Sequence, residues 1–306
     1  MKQKTDPKNL LADRIVPFAL QKTNIQGRLI ELQQSFNTII EQHLYPYPVA
    51  YALAECLLLA TSLSSALKYQ GVFTLQIKGS GPIRLMVVDC TEQGHLRGYA
   101  QFEENQLPME KTNNFLSVPK LFGQGYLAFT VDQGPHTERY QGIVELTGLT
   151  LTDCVQQYFR QSEQINTALF IAIAKNAQGW QGKLLMLQQL PLPTAAYHDS
   201  NQQAERDAQW QETLVYLSTL KRSEILDPKI SSEQLLYLLF HEQLLAIHKM
   251  RPLIAKCRCS KAKIQQVLQS FPPAELRILQ IDGMIGVNCE FCNSQYSFSE
   301  KDLVLS

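Results

Sequence analysis

The sequence predicts an α+β fold with a large N-terminal domain of mixed strands and helices, a helical linker and a small C-terminal domain. Short strand-like runs outnumber long helical patterns between about residues 15 and 190. After Pro191-Leu192-Pro193 the chain becomes rich in glutamine and its apolar residues become sparse. Four cysteines are grouped in two pairs near the C-terminus. We therefore expect three parts, at residues 1–192, 193–250 and 251–306.

The elements of the N-terminal domain follow from the spacing of its apolar residues. A helix is expected from about Pro48, because apolar residues recur there at helical spacing. Residues 73–78 alternate between apolar and polar, residues 79–82 (Gly-Ser-Gly-Pro) supply a turn, and residues 83–88 are extended again. This pattern predicts a β-hairpin. Further strands are expected at residues 125–131 and 140–146, followed by a helix over residues 151–160.

The linker is predicted to contain two helices of different character. In the first, Trp210, Leu214, Leu217 and Ile225 are the sparse apolar positions, so the helix depends on docking for its stability. The second is expected to begin at a Ser231-Ser232 cap and to run to about Met250. Leucines and other apolar residues cover most of its circumference, so it must be buried.

Charge and hydropathy limit the classes of protein. The 306 residues include 28 basic and 28 acidic side chains, so no positive field exists to attract nucleic acid. The charged N-terminal stretch does not resemble a secretory signal. The most apolar stretch, residues 49–60, contains Glu55 and is too short to cross a bilayer of about 30 Å. We expect a cytoplasmic protein without a membrane segment or a nucleic-acid partner.

Motifs for nucleotide binding and hydrolysis are incomplete. The glycine pairs Gly79/Gly81 and Gly123/Gly125 lack the remaining residues of a phosphate-binding loop, so we interpret them as turns. A Gly-x-Ser-x-Gly nucleophile elbow is absent from the sequence. His241-Glu242 is not a zinc-protease motif, because Leu245 stands where the second histidine belongs. We therefore do not expect an enzyme.

The strongest signal is the group Cys257, Cys259, Cys289 and Cys292, named here the cysteine cluster. Two thiol pairs separated by a small structural unit are typical of a four-sulfur zinc site, which would hold one ion per monomer. Between the pairs, Ser260 can cap a helix, and Asp282-Gly283 predicts a hairpin turn leading to the second pair. The other cysteines, Cys56, Cys90 and Cys154, are interpreted as buried thiols.

The two pairs differ in spacing, since the first is Cys-x-Cys and the second is Cys-x-x-Cys. Around the first pair lies a basic stretch without acidic residues: Lys249, Arg251, Lys256, Arg258, Lys261 and Lys263. Such cations can stabilise thiolates around zinc, or they can form an ordinary solvated surface. From the spacing alone, a static structural zinc site and a redox switch both remain open.

Several motifs resemble one known family. They are Thr74-Leu75-Gln76, Gly79-Ser80-Gly81-Pro82, Tyr140-Gln141-Gly142-Ile143-Val144, Tyr158-Phe159, Gln161-Ser162-Glu163-Gln164-Ile165-Asn166-Thr167, Cys257-Arg258-Cys259-Ser260 and Cys289-Glu290-Phe291-Cys292. Together they are similar to the thirty-three kilodalton heat-shock protein family of redox-regulated holdase chaperones, over nearly the full chain. The glutamine-rich linker and Lys261-Ala262-Lys263 depart from the family pattern.

The resemblance implies a function and a switch. In that family zinc holds the reduced, inactive state, and hypochlorous acid, or peroxide with heat, converts the pairs to disulfides and releases the metal. For this chain it implies the disulfides Cys257–Cys259 and Cys289–Cys292, unfolding of the linker, binding of unfolded or partly folded clients without ATP, and a homodimer when oxidised.

Two other functional classes remain as alternatives. A zinc-ribbon nucleic-acid-binding protein would explain the basic stretch but not the neutral chain or the apolar helix after residue 231. A thiol oxidoreductase would use Cys289 and Cys292 catalytically, but such motifs normally open a helix, whereas Cys289 is expected to follow a strand.

Overall fold

A computed structural model of the chain describes residues 13–108, 117–134, 140–163, 165–191 and 200–303. Its architecture is α+β, as predicted, with two six-stranded sheets and a small two-stranded sheet. The first sheet consists, in spatial order, of β10 (Leu245–Ile247), β1 (Arg14–Leu20), β2 (Ile25–Leu32), β9 (Gly179–Gln189) and β8 (Thr167–Asn176), with β11 (Arg251–Pro252) also paired to β1. All of these pairings are antiparallel.

The second sheet contains the predicted hairpin. Its strands are, in spatial order, β12 (Ile254–Ala255), β5 (His95–Phe102), β4 (Ile83–Thr91), β3 (Val72–Gly79), β6 (Gly125–Asp132) and β7 (Tyr140–Glu145). Strands β3 and β4 pair antiparallel, so the hairpin prediction is confirmed. The strands expected near residues 125 and 140 are also present, and β12 pairs in parallel with β5, unlike the other described strands of this sheet.

Helix α2 (Tyr47–Ala66) lies between the two sheets and contacts strands of both. It follows a short helix α1 (Gln34–Glu41), and Pro48 occupies its first turn, where a missing N–H costs nothing. The helix is long and apolar enough to span a membrane, but most of it is buried in the protein, as in a core helix. Together with α1, α3 (Val118–Phe122), α4 (Leu151–Tyr158) and residues of both large sheets, it forms the central core. Cys56, Cys90 and Cys154 are buried there, as predicted.

The first sheet is buried on both faces. Along β9, Leu184 and Met186 point into the central core, whereas Leu185 and Leu187 point to a second apolar cluster on the opposite face. This alternation follows from the two-residue period of a strand and explains why the sequence there is apolar without interruption. The second face therefore needs a cover of its own.

The linker helices provide that cover. They are α5 (Ser200–Thr219), α6 (Arg222–Ile225) and α7 (Ser232–Phe240). Trp210 and Leu217 of α5 and Ile225 of α6 are buried in the second cluster, which confirms the apolar positions predicted for this region. Ser231 caps α7 by accepting a hydrogen bond from the Gln234 amide.

The prediction that the second linker helix extends to Met250 is wrong. Helix α7 ends at Phe240, and Leu244 adopts a left-handed conformation with φ of 52°. Residues after it form β10 because Leu245–Ile247 find main-chain partners on β1. The apolar circumference is also only partly buried: Leu236 and Phe240 are buried, whereas Leu238 is 62% exposed.

Residues 245–255, named here the connecting segment, contain the three short strands β10, β11 and β12. The first two pair with β1 of the first sheet, and the third pairs with β5 of the second. The connecting segment therefore leads from α7 to Cys257 along the edges of both sheets.

Residues 257–303 form the C-terminal unit. Its elements are α8 (Lys261–Gln269), α9 (Pro273–Ile278), β13 (Met284–Asn288), β14 (Gln295–Ser299) and α10 (Glu300–Leu303). As predicted, Ser260 caps α8, and its hydroxyl accepts a hydrogen bond from the Lys263 amide. Asp282 and Gly283 have φ of 49° and 75°, which is the backbone of the predicted hairpin turn.

Candidate metal centre

The structure brings the four predicted cysteines together. The sulfurs of Cys257 and Cys289 are 3.7 Å apart, and those of Cys259 and Cys292 are 3.4 Å apart. All four sulfurs lie within 4.8 Å of one another. The side chains are partly buried, so they remain accessible to small molecules.

Each pair is positioned by a different piece of local structure. Strand β12 extends the second sheet, and the Lys256 amide donates to the Leu96 carbonyl, which directs Cys257 to the edge of β5. Cys289 and Cys292 lie in the turn that joins β13 to β14. That turn is closed by hydrogen bonds from the Cys289 amide to Ser294 and from the Asn293 amide to Cys289. Cys289 thus follows a strand, as expected, and does not open a helix.

The donor set fits a metal ion. Four sulfurs bonded to one tetrahedral zinc ion at about 2.3 Å would be about 3.8 Å apart. The observed separations of 3.4 and 3.7 Å are close to that spacing. Sulfur ligands favour zinc and other soft ions over magnesium or calcium, which take oxygen.

The thiols differ in acidity. Burial raises the pKa of Cys259 to about 12, and burial also raises the pKa of Cys289. At Cys292 burial again acts to raise the pKa, but hydrogen bonds with Ser294 and the neighbouring thiols outweigh it and lower the pKa to about 7. The Ser294 hydroxyl lies 3.2 Å from the Cys292 sulfur. The lowered pKa therefore belongs to a thiol of the second pair.

A row of polar residues connects the cysteine cluster to the second sheet. Thr74, Asp89 and Arg97 are cross-strand neighbours on β3, β4 and β5. The buried Asp89 carboxylate accepts hydrogen bonds from Thr74, at 2.6 Å, and from the Arg97 guanidinium, at 2.7 and 2.8 Å. It also accepts one from Arg258, which lies between the first two cysteines, at 2.6 Å. Arg97 in turn reaches to 3.9 Å from the Cys257 sulfur.

Phe291, between the second two cysteines, is held by the same sheet. The Arg97 guanidinium carbon lies 3.7 Å from the centre of the Phe291 ring, a cation–π distance. Tyr99 packs edge-on against that ring, with centroids 4.7 Å apart. The His43 Nε2 atom is 3.3 Å from the Phe291 carbonyl oxygen. Both halves of the cysteine cluster therefore contact β5 or its surroundings.

The basic stretch has other partners than the sulfurs. Arg258 pairs with Asp89, Lys261 lies 3.7 Å from Asp302, and Lys263 donates to the Arg258 carbonyl. A cation outside the basic stretch, Arg97 on β5, lies 3.9 Å from the Cys257 sulfur. Sequence reasoning missed this residue. Its neighbour Asp89 was missed as well, because only the pairing of β4 with β5 and β12 places these residues beside Cys257.

Comparisons with known proteins agree with these features. Residues 13–299 match the family described as Hsp33 protein. A 33 kDa chaperonin from Caulobacter vibrioides is 34% identical over 295 residues, covering 94% of this chain and 95% of that protein. One from Ectopseudomonas mendocina is 32% identical over 288 residues, covering 94% and 92% respectively.

A solved structure shares the fold. The crystal structure of the 33 kDa chaperonin (heat shock protein 33 homolog) from Thermotoga maritima superposes with a TM-score of 0.79. The match covers 95% of this chain and 96% of that one, at 22% sequence identity.

Proposed function

The chain belongs to the Hsp33 family, and from that premise we propose that it is an ATP-independent holdase chaperone whose binding of unfolded or partly folded proteins is controlled by the oxidation state of the cysteine cluster. The observation that carries this proposal is the convergence of four partly buried thiols beside the second sheet, which Arg258 and Phe291 of the C-terminal unit contact. We further propose, from the family resemblance, a cytoplasmic location and a homodimer in the oxidised state.

In the reduced state the four sulfurs would hold one zinc ion. When bound, the ion supplies a cross-link between the two halves of the C-terminal unit. That unit has a small core of five buried apolar residues, namely Leu268, Leu276, Ile285, Phe298 and Leu303. Units with so little core need a metal or another cross-link to stay folded.

Oxidation would convert the four ligands into the disulfides Cys257–Cys259 and Cys289–Cys292. For each bond, two thiols lose two protons and two electrons, and hydrogen peroxide is reduced to two molecules of water. Sulfur in a disulfide is a poor metal ligand, so the C-terminal unit loses its cross-link. The support of the connecting segment at Cys257 is lost with it.

The linker helices would then separate from the first sheet. They cover a face formed by residues such as Phe18, Leu29, Leu185 and Leu187, which are fully buried in the reduced structure. Exposed apolar surface of this kind binds partly folded proteins. The proposed switch therefore acts by uncovering one face of the first sheet.

The test combines metal content and activity on the same samples. Reduced protein should contain about one zinc ion per chain and should not suppress the aggregation of an unfolding model protein. After peroxide treatment, zinc should be lost and suppression should appear without ATP. Equal suppression in both states, or full activity with zinc retained, would reject the redox control.

A further inference from the structure

The connecting segment covers one edge of each large sheet. Strand β10 pairs with Phe18–Leu20 of β1, and β11 pairs with the other end of the same strand, at Arg14 and Ile15. Strand β12 covers β5 at His95 and Leu96. In each case a strand of three residues or fewer occupies a longer sheet edge.

These contacts are made by the main chain. The His248 amide donates to the Pro17 carbonyl at 2.8 Å, and the Gln21 amide donates to the Leu244 carbonyl at 3.2 Å. At the start of β1 the Leu253 amide donates to the Asp13 carbonyl at 2.9 Å. The edge of β1 therefore binds an extended chain through main-chain N–H and C=O groups. Every amino acid except proline has both of these groups.

Alternation assigns the edge-facing positions of β1. Asp13, Pro17 and Gln21 make the contacts above, so odd-numbered residues, including Ala19, face the edge, and even-numbered residues face β2. On the covering strand, Ala246 and His248 face β1, whereas Leu245 and Ile247 direct their amides away from it.

The edge borders the apolar face beneath the linker helices. Val16, Phe18 and Leu20 of β1 belong to the same buried cluster as Trp210 and Leu236 of those helices. The two covers are close together in the chain, because only residues 241–244 separate α7 from β10. Undocking of the linker helices would therefore free the edge together with the face.

We propose that the edge of β1 is a client-binding site that takes an extended segment of an unfolded protein as an added strand, in place of β10. This inference rests on the proposed holdase function and specifies how the client is held. The connecting segment of this chain already occupies the site in that manner. Main-chain pairing gives affinity without reading side chains, while the adjacent apolar face accepts alternate apolar side chains of the client. Such recognition suits a chaperone with many different clients.

Hydrogen exchange tests the occupancy of the edge directly. In the full-length oxidised protein, the edge-facing amides of Ala19 and Gln21 should exchange faster than in the reduced protein, and adding reduced carboxymethylated lactalbumin as an unfolded client should slow them again. If the oxidised protein binds this client and the amides stay unprotected, the edge is not the site. If the amides become protected without client as the protein concentration is raised, a second copy of this chain takes the edge and the proposal is overturned.

Two N-methylated peptides provide a matched comparison. A synthetic peptide of residues 242–250 methylated on the amides of Leu245 and Ile247 keeps its β1-facing side and should displace the client from oxidised protein. The same peptide methylated on Ala246 and His248 loses that side and should not compete. Equal competition by both peptides contradicts main-chain pairing.

A third test changes the edge itself. Ala19→Pro removes an edge-facing amide while the pairing of β1 with β2 is retained, as it already is at Pro17. We expect the oxidised variant to bind the unfolded client about three- to tenfold more weakly than Ala19→Val, which keeps the amide. Equal affinity of the two variants, with the linker undocked in both, would overturn the proposal. Failure of the unmodified oxidised protein to bind any client would instead reject the proposed function.

Discussion

The core around helix α2 and the C-terminal unit are stabilised in different ways. The central core buries residues from both large sheets and from four helices, whereas the C-terminal unit buries five apolar side chains. A large core tolerates the loss of one contact, but a small one depends on its cross-link. The difference teaches that the proposed oxidation would act on one part of the chain, the C-terminal unit, and would leave the central core intact.

The cysteines illustrate the same contrast. Cys56, Cys90 and Cys154 lie in the central core, where burial raises the pKa of each thiol and keeps it protonated and unreactive. The cysteine cluster lies in the C-terminal unit and is partly exposed. Position in the fold therefore separates three buried thiols with raised pKa from a partly exposed cluster of four.

The largest effect is expected from removing one ligand of the cluster. Cys289→Ser should abolish stoichiometric zinc binding and unfold much of the C-terminal unit, because metal binding contributes on the order of 10 kcal/mol to the folding of such units. Zinc content and hydrogen exchange over residues 257–303 measure this. Cys154→Ser is the control, and its zinc content should be unchanged. A folded, metal-free C-terminal unit in reduced protein would contradict the comparison.

A charge beneath the linker should activate the protein without oxidation. Leu236 is fully buried against the first sheet, so Leu236→Asp places an unpaired carboxylate in an apolar site at a cost of several kcal/mol. We expect faster hydrogen exchange in the linker helices and suppression of client aggregation in the reduced state.

Leu238→Asp is the matched control for this variant. Leu238 lies on the same helix but is 62% exposed, so the added charge remains in water and the reduced protein should stay inactive. If Leu236→Asp undocks the linker helices and still fails to suppress aggregation, those helices do not mask the client-binding surface.

A smaller effect is expected at the junction between the second sheet and the C-terminal unit, where Arg97 contacts Phe291. Arg97→Ala removes the contacts of the guanidinium with the Phe291 ring and the Cys257 sulfur, so it should weaken the docking of the C-terminal unit by about 1–3 kcal/mol. The oxidant concentration needed for activation should fall while the reduced variant keeps its zinc.

Arg97→Lys and Arg84→Ala give the controls for the junction. Lysine keeps the charge but lacks the planar fork, so Arg97→Lys should restore only part of the docking. Arg84 lies on β4 but is exposed and contacts Ser80 and Gln106, so its removal should leave the oxidant threshold unchanged. Identical thresholds in Arg97→Ala and Arg84→Ala would exclude a role for Arg97 in docking.

Local signals in the sequence predicted local structure well. The Ser260 cap, the Asp282-Gly283 turn and the hairpin at residues 73–88 depend on residues close in the chain, and all three are observed. The end of α7 was mispredicted because apolar residues continue past Phe240, and only pairing with β1, far away in sequence, converts them to a strand. Arg97 was missed for the same reason, since its role depends on the register of three strands.

The smallest expected effect is a difference in rate between the two halves of the cysteine cluster. We expect Cys289–Cys292 to oxidise before Cys257–Cys259. A Cys-x-x-Cys turn brings its sulfurs to bonding distance with little backbone distortion, whereas the smaller ring closed by Cys-x-Cys is more strained. The first pair is also held by main-chain pairing of β12 with β5, which opposes the movement that ring closure needs.

Time-resolved thiol trapping after peroxide should detect the Cys289–Cys292 species first. Arg97 contacts both Cys257 and Phe291, so Arg97→Ala should loosen both cysteine pairs. The interval between the two oxidation steps should then shorten. An early and predominant Cys257–Cys259 species would contradict this order and would mean that strain in the small ring does not control the switch.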